Sequence, residues 1–415
     1  MAKTLFRHAN VFDGWSSTLL NDCDVLVVDD SIQEVSASPL TVSGDTDVID
    51  CTGRVLMPGL IDAHVHVYGA GLDIARLVKR PGTYLAHHAA NFLRGCLDRG
   101  FTTLRDVGGG DVGLATALQE GLLKGPRLFY GGRVISQTGG HGDMRPGDHD
   151  LNAADAMCGC ACHMDALAVI VDGVDAMRKA VREELRRGAS HIKIMASGGV
   201  VSPTDPLEYC QYADDEVRAA VDEAVRVGKY VAAHCHPTAA IRRCVELGVR
   251  SIEHATMIDE ATAALVAERG AFVVPTMAVQ YALHERGKRL GFPEANFAKL
   301  ERVIAAAMTG LQIMHRAGVK MGFGTDLMGS MNELQSSEFA LRAQVLPALE
   351  ILRSACAVNA QLLNQEGRLG CIRAGAHADL LVVDGNPLAD ISVLAQGGER
   401  LPVIMHAGRF HKRAL

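Results

Sequence analysis

The segment Asp62-Ala63-His64-Val65-His66 closes an apolar run that opens at Pro58-Gly59. Two histidines two residues apart in an extended strand point to the same face, a placement that lets both imidazoles converge on one metal ion. Lys193 stands in His191-Ile192-Lys193-Ile194-Met195-Ala196, with apolar residues on both sides. Lysine is rarely buried unpaired, and burial lowers the pKa of an ammonium. The neutral amine that results has two uses. It can form a Schiff base with a carbonyl compound, or take up CO₂ as a carbamate whose two oxygens bridge two cations. The histidines favour the metal use. Farther along, His234-Cys235-His236, Glu253-His254 and Gly324-Thr325-Asp326 each place an imidazole or carboxylate at the end of a short apolar run. Singly each ending is weak, but together they amount to a ligand set.

Such endings need a scaffold that brings distant strand ends to one rim. Eight apolar, β-branched runs read as strands, at 59–67, 101–106, 127–135, 191–196, 230–234, 251–254, 271–275 and 320–325. Helical patterns lie between them, as at 174–187 and 214–227, and Gly188, Gly228, Gly248, Gly270 and Gly318 stand where those helices should stop. Parallel strands require crossover helices, so eight units predict an α/β fold, a TIM-like (β/α)₈ barrel over residues 58–364. Chemistry in such a barrel sits at the C-terminal strand ends, where the polar residues above fall. The chain ends read differently, as short strands and turns. Neither end is long enough for a stable domain, so residues 1–57 plus 365–415 predict one small β-sandwich built from both.

As a set, Pro58-Gly59-Leu60-Ile61-Asp62-Ala63-His64-Val65-His66, Lys193, His234, His254, Gly324-Thr325-Asp326 and the closing Gly375-Ala376-His377-Ala378-Asp379-Leu380 resemble the amidohydrolase superfamily over essentially the whole chain. The resemblance is to members with a binuclear metal centre and a carboxylated lysine. It implies that His64, His66 and Asp326 bind the more buried metal and that His234 and His254 bind the second. Lys193, as N6-carboxylysine, would bridge the two, with a hydroxide between the metals as the nucleophile. Asp326 would carry the proton to the departing nitrogen. Nitrogen and oxygen ligands without thiolate point to two divalent ions, zinc first. Homo-oligomers are common among such relatives.

Two loops narrow the expected substrate. Gln137-Thr138-Gly139-Gly140-His141-Gly142-Asp143 and Ser197-Gly198-Gly199-Val200-Val201-Ser202 with Gln211-Tyr212 resemble the branch that cleaves Xaa-Pro dipeptides. The resemblance implies that His141 and Tyr212 meet the substrate, Tyr209 being the alternative phenol. The rival readings are a hydrolase of N-acyl aromatic amino acids of the ochratoxin type, and an imidazolonepropionase- or deaminase-like enzyme. Lys193 argues against the latter pair, which typically use one metal and lack this lysine. A non-catalytic scaffold would have no need of six filled ligand positions. Arg145, with Asp143, Asp148 and His149, lies in a stretch that reads first as an ordinary solvated loop, with Arg145 as a carboxylate-clamp candidate.

Composition closes off other classes. The 415 residues are 48% hydrophobic and 21% charged, enough to bury a barrel-sized core and too apolar for disorder. A net charge of -7 and a single tryptophan give no pull toward nucleic acid and no stacking platform, so no nucleic-acid partner is expected. No apolar run approaches the roughly 18–20 residues a bilayer span needs, and the first residues lack a signal-peptide core. The expectation is a cytoplasmic enzyme with a small-molecule substrate and no membrane partner. Its eleven cysteines follow no repeating frame and read as free thiols. Cys158-Gly159-Cys160-Ala161-Cys162-His163 reads as a loop, because structural zinc sites draw on two separated ligand pairs.

Overall fold

The computed structural model describes residues 2–42, 44–77, 79–145, 167–202 and 204–415. Ten strands of the central region form two all-parallel sheets. The smaller runs Leu60–Val65, Phe101–Asp106, Arg127–Tyr130. The larger has seven strands, in the order Ala168–Ile170, Val134–Ser136, Ile192–Met195, Val231–Pro237, Ser251–Met257, Phe272–Val274 and Lys320–Met321. Leu60–Val65, Ile192–Met195 and Val231–Pro237 are buried along their whole length, as expected of parallel strands covered on both faces. Backbone hydrogen bonds join the two sheets on both sides: Ala63 N–H donates to the Phe323 carbonyl at 2.8 Å, and Ser190 N–H to the Tyr130 carbonyl at 2.8 Å.

Two expectations need correction. The run 127–135 is not one strand. It breaks at Gly131-Gly132, where Gly132 takes φ +72°, and its halves join different sheets. The last site strand is also shorter than 320–325. Beyond Met321 the Asn359 side chain joins the backbone bonding, accepting from Phe323 N–H at 3.2 Å and donating to the Phe323 carbonyl at 2.8 Å. The helices fall where the pattern puts them, at Val174–Arg186 and Asp214–Val225, and all five helix-stopping glycines adopt positive φ. Val174–Arg186 buries Met177, Ala180 and Val181, one stripe of a 3.6-residue period.

Both chain ends contribute to a third, eight-stranded sheet. Val55–Pro58 pairs in parallel with Lys3–Val11 on one side and antiparallel with Leu380–Val383 on the other. Phe6, Val25, Ile49, Leu56, Leu380 and Met405 pack its separate core. Pro58 leads directly into Leu60–Val65, so this sheet fixes the entry of the first site strand; Gly59 N–H donates to the Asp379 carbonyl at 2.8 Å. Among the described residues no helix is long and apolar enough to cross a membrane.

Candidate metal centre and active-site cavity

Six side chains predicted as metal ligands (His64, His66, Lys193, His234, His254 and Asp326) line a single cavity of about 140 Å³ at the C-terminal strand ends. His64 Nε2 lies 3.4 Å and His66 Nε2 3.1 Å from Asp326 Oδ1. Their ligand atoms lie within 4.8 Å of one another, so this trio fits a metal site. The imidazoles form a contiguous set, with ring centroids 4.9 Å apart for His64 and His254 and 4.6 Å for His234 and His254.

Which nitrogen each histidine offers is set by the partner of the other. His64 Nδ1 donates to Glu253 Oε2 at 2.7 Å and His66 Nδ1 to the Gly108 carbonyl at 2.9 Å, leaving both Nε2 lone pairs for a cation. His254 Nδ1 is tied to the Thr276 hydroxyl at 2.7 Å, which likewise frees Nε2. His234 is reversed: its Nε2 donates to the Gly198 carbonyl at 3.3 Å and Nδ1 is left to bind. Burial holds the pKa of His234 and His254 well below the usual imidazole range, so both imidazoles are neutral. For Asp326, burial opposes ionisation, but His64 and His66 outweigh it and hold the carboxyl well below its ordinary value. His254, Ala255 and Asp326 all take positive φ, backbone that only a well-determined surrounding retains.

Lys193 is 2% exposed, and its amine has no hydrogen-bond partner among the described residues. Burial lowers its pKa despite the nearby Glu253 and Asp326 carboxylates. Beneath these side chains lies a charge pair that sequence reading missed. Arg105, fully buried, donates from Nη2 to both Glu253 oxygens at 2.8 Å and from Nη1 to Ser251 Oγ at 3.1 Å. The Asp106 carboxylate accepts from Val67, Gly108 and Gly110 N–H at 2.7, 3.0 and 2.8 Å, fixing the loop that presents the Gly108 carbonyl to His66.

His141 joins the group. Its ring stacks on His234 with centroids 4.2 Å apart, and its Nδ1 is bonded to Ser202 Oγ at 2.7 Å. Gly199 is required there, since a Cβ at that position would lie 2.1 Å from His141 Cε1. Lys299, also missed, clamps this loop from the side by donating to the carbonyls of Gly199, Ser202 and Asp205 at 2.9–3.0 Å. Tyr212 is not brought to the cavity lining. Its hydroxyl donates to the Val171 carbonyl at 3.2 Å, and Tyr209 is 62% exposed on the surface. Arg145 is engaged by Asp143 at 2.7 Å rather than turned to the cavity. Asp148, His149 and the Cys158–His163 run lie outside the described residues. His236 and Gln280 also line the cavity; His236 was visible as the second imidazole of His234-Cys235-His236, whereas nothing in the sequence marked Gln280.

Residues 55–409 match the amidohydrolase family. The chain is 34% identical to ochratoxinase from Aspergillus niger over 351 residues, covering 82% of this chain and 72% of that protein. It superposes on the crystal structure of an amidohydrolase with a TM-score of 0.96 and 47% identity over the whole of both chains. A prolidase crystallised with N-methylphosphonate-L-proline gives a TM-score of 0.95 at 45% identity, over 99% of this chain and 100% of that one. These likenesses imply a TIM-type barrel with a smaller domain. The protein belongs to the amidohydrolase family and is a hydrolase of amide or peptide C–N bonds.

Proposed function

We propose that the protein is a metal-dependent Xaa-Pro dipeptidase. One observation carries the reading: six imidazoles, a buried amine with no hydrogen-bond partner among the described residues and an ionised carboxylate face one cavity at the strand ends. The donor set suits two divalent ions, zinc first. His64, His66 and Asp326 would hold one ion, and His234 through Nδ1 with His254 through Nε2 the other. Lys193, as N6-carboxylysine, would lie between them; its depressed pKa makes the neutral amine that reacts with CO₂ available. When bound, such ions polarise a carbonyl and acidify water.

The protein's own groups supply the rest. Asp326, ionised at the centre of the site, takes a proton from the attacking water and gives it to the departing nitrogen. His141, held by Ser202 and stacked on His234, turns its other nitrogen toward the oxygen that gains charge. The two sheet-joining hydrogen bonds at Ala63 and Ser190 support closure into a (β/α)₈ barrel over 58–364, and the eight-stranded sheet with its own core supports a small β-sandwich domain of 1–57 and 365–415.

Preference for proline draws support from the prolidase likeness. The ochratoxinase likeness favours a second reading on the same metal centre, hydrolysis of N-acyl aromatic amino acids. A panel on zinc-reconstituted protein separates them: Xaa-Pro dipeptides, N-acyl-prolines, N-acyl-phenylalanines and non-proline dipeptides, read by amino acid release. Xaa-Pro turnover that a chelator abolishes and zinc restores is expected. A preference for N-acyl-phenylalanine would sink the proline assignment and keep the metal chemistry, while chelator-resistant turnover would sink the metal chemistry.

A further inference from the structure

Gln280 lies on the helix Met277–Arg286, one turn beyond Thr276, the residue that holds His254. It is 3% exposed and lines the cavity, yet neither its Nε2 nor its Oε1 has a hydrogen-bond partner among the described residues. Its cavity neighbours Val279, Leu283, Leu300 and Val303 have no polar side-chain atoms to offer. Buried polar groups are nearly always paired, and one left unpaired carries its full desolvation penalty. An amide with both ends unpaired in an apolar wall is built for a ligand.

Its place says which part of the ligand. The strand before this helix, Phe272–Val274, lies between Ser251–Met257, which carries His254, and Lys320–Met321, which leads to Asp326. The helix that carries Gln280 thus follows the strand between those leading to His254 and Asp326, and Gln280 shares the cavity with Asp326, which we take to face the leaving amino acid. That amino acid carries an α-carboxylate in both substrate classes considered above. Among the described residues no arginine lines the cavity and its one lysine, Lys193, is assigned to the metals, so no guanidinium or spare ammonium competes with the Gln280 amide for a carboxylate.

We propose that Gln280 reads the leaving amino acid, its Nε2 donating to the α-carboxylate and its Oε1 accepting the N–H of the α-nitrogen. The inference rests on the amidohydrolase reading but not on proline. A secondary amide offers that N–H from the start. The nitrogen of an Xaa-Pro bond offers none until the C–N bond breaks and the nitrogen takes up the proton from Asp326. Both ends of Gln280 are then satisfied by the departing proline and not by the intact dipeptide, an interaction gained along the reaction.

The test compares substrates with a free carboxylate and with a primary carboxamide on the leaving residue, in a Leu-Pro pair and an N-acetyl-phenylalanine pair. Wild type, Gln280→Leu and the isosteric Gln280→Glu are assayed with zinc bound. Wild type should favour the carboxylate at least about tenfold in kcat/KM, and Gln280→Leu should bring that ratio toward one, a loss of about ten- to a hundredfold. Gln280→Glu, which keeps the shape but repels an anion, should invert it. Calorimetry with free L-proline and L-phenylalanine supplies a readout without turnover, and both variants should bind them more weakly. Equal losses on carboxylate and carboxamide, or unchanged amino acid binding, would overturn the assignment. Failure of Leu-Pro alone would instead remove the proline reading, with the N-acetyl-phenylalanine ratio still deciding on Gln280.

Discussion

Two buried cations in the parallel strands are treated in opposite ways. Arg105, below the histidines, is bonded to Glu253, Ser251 and the Ala63 carbonyl, and its charge is matched by a carboxylate as inaccessible as itself. Lys193, at the level of the histidines, has the same burial and no bonded partner among the described residues. A guanidinium paired on this scale is a fixed support, holding Glu253 so that Glu253 can hold His64. An amine left unpaired in the same interior is pushed toward its neutral form and made available for chemistry. Burial is thus common to both, and what separates the support from the proposed reagent is whether the charge has been answered.

Removing the reagent should have the largest effect. Lys193→Ala should lose at least about a thousandfold in kcat/KM, near 4 kcal/mol of transition-state stabilisation, together with bound metal. Partial rescue by a short carboxylic acid, followed by metal content and rate, would identify the missing group as a carboxylate. Because the side chain leaves no charge unmatched, the fold itself should tolerate the change. Breaking the support should read differently. Glu253→Gln strips Arg105 of its counter-charge and leaves one acceptor oxygen where Arg105, Ser251 and His64 now share two; we expect about 3–5 kcal/mol lost in denaturant unfolding and a roughly 10- to 100-fold weaker metal affinity by competition titration. A variant with full stability would erase the contrast drawn above. Smallest of all, Tyr212→Phe removes a hydroxyl bonded to a backbone carbonyl and should cost about 1 kcal/mol of stability with kcat/KM changed less than twofold. A larger kinetic effect would return Tyr212 to the site.

What could be read ahead of the structure were features that declare themselves locally. His64 and His66 share a strand face by spacing alone, and Lys193 is conspicuous because its neighbours are apolar. The ends of the seven-stranded sheet were less legible. Gly131-Gly132 looks like any interruption in a β-branched run, although it is where the chain passes from one sheet to the other. The supports were not legible at all. Arg105 and Glu253 lie 148 residues apart, Asn359 reaches Phe323 across 36, and Lys299 reaches Gly199 across 100. Each reads as an ordinary polar residue until the partner is known. Tyr212 shows the converse, because its motif pointed to the substrate while the backbone, at φ +62°, turns the phenol to Val171.

The pairing of Val55–Pro58 with Leu380–Val383 has a bearing on how the protein is made. Translation proceeds at roughly 5–20 residues per second, so the partner of this strand leaves the ribosome about a quarter of a minute to a minute after it. Until then the segment that leads into His64 and His66 has one sheet neighbour instead of two, and both of its edges cannot be covered. The strand that feeds His64 and His66 is consequently completed late in synthesis, gaining its second neighbour only after every residue of the cavity has been made.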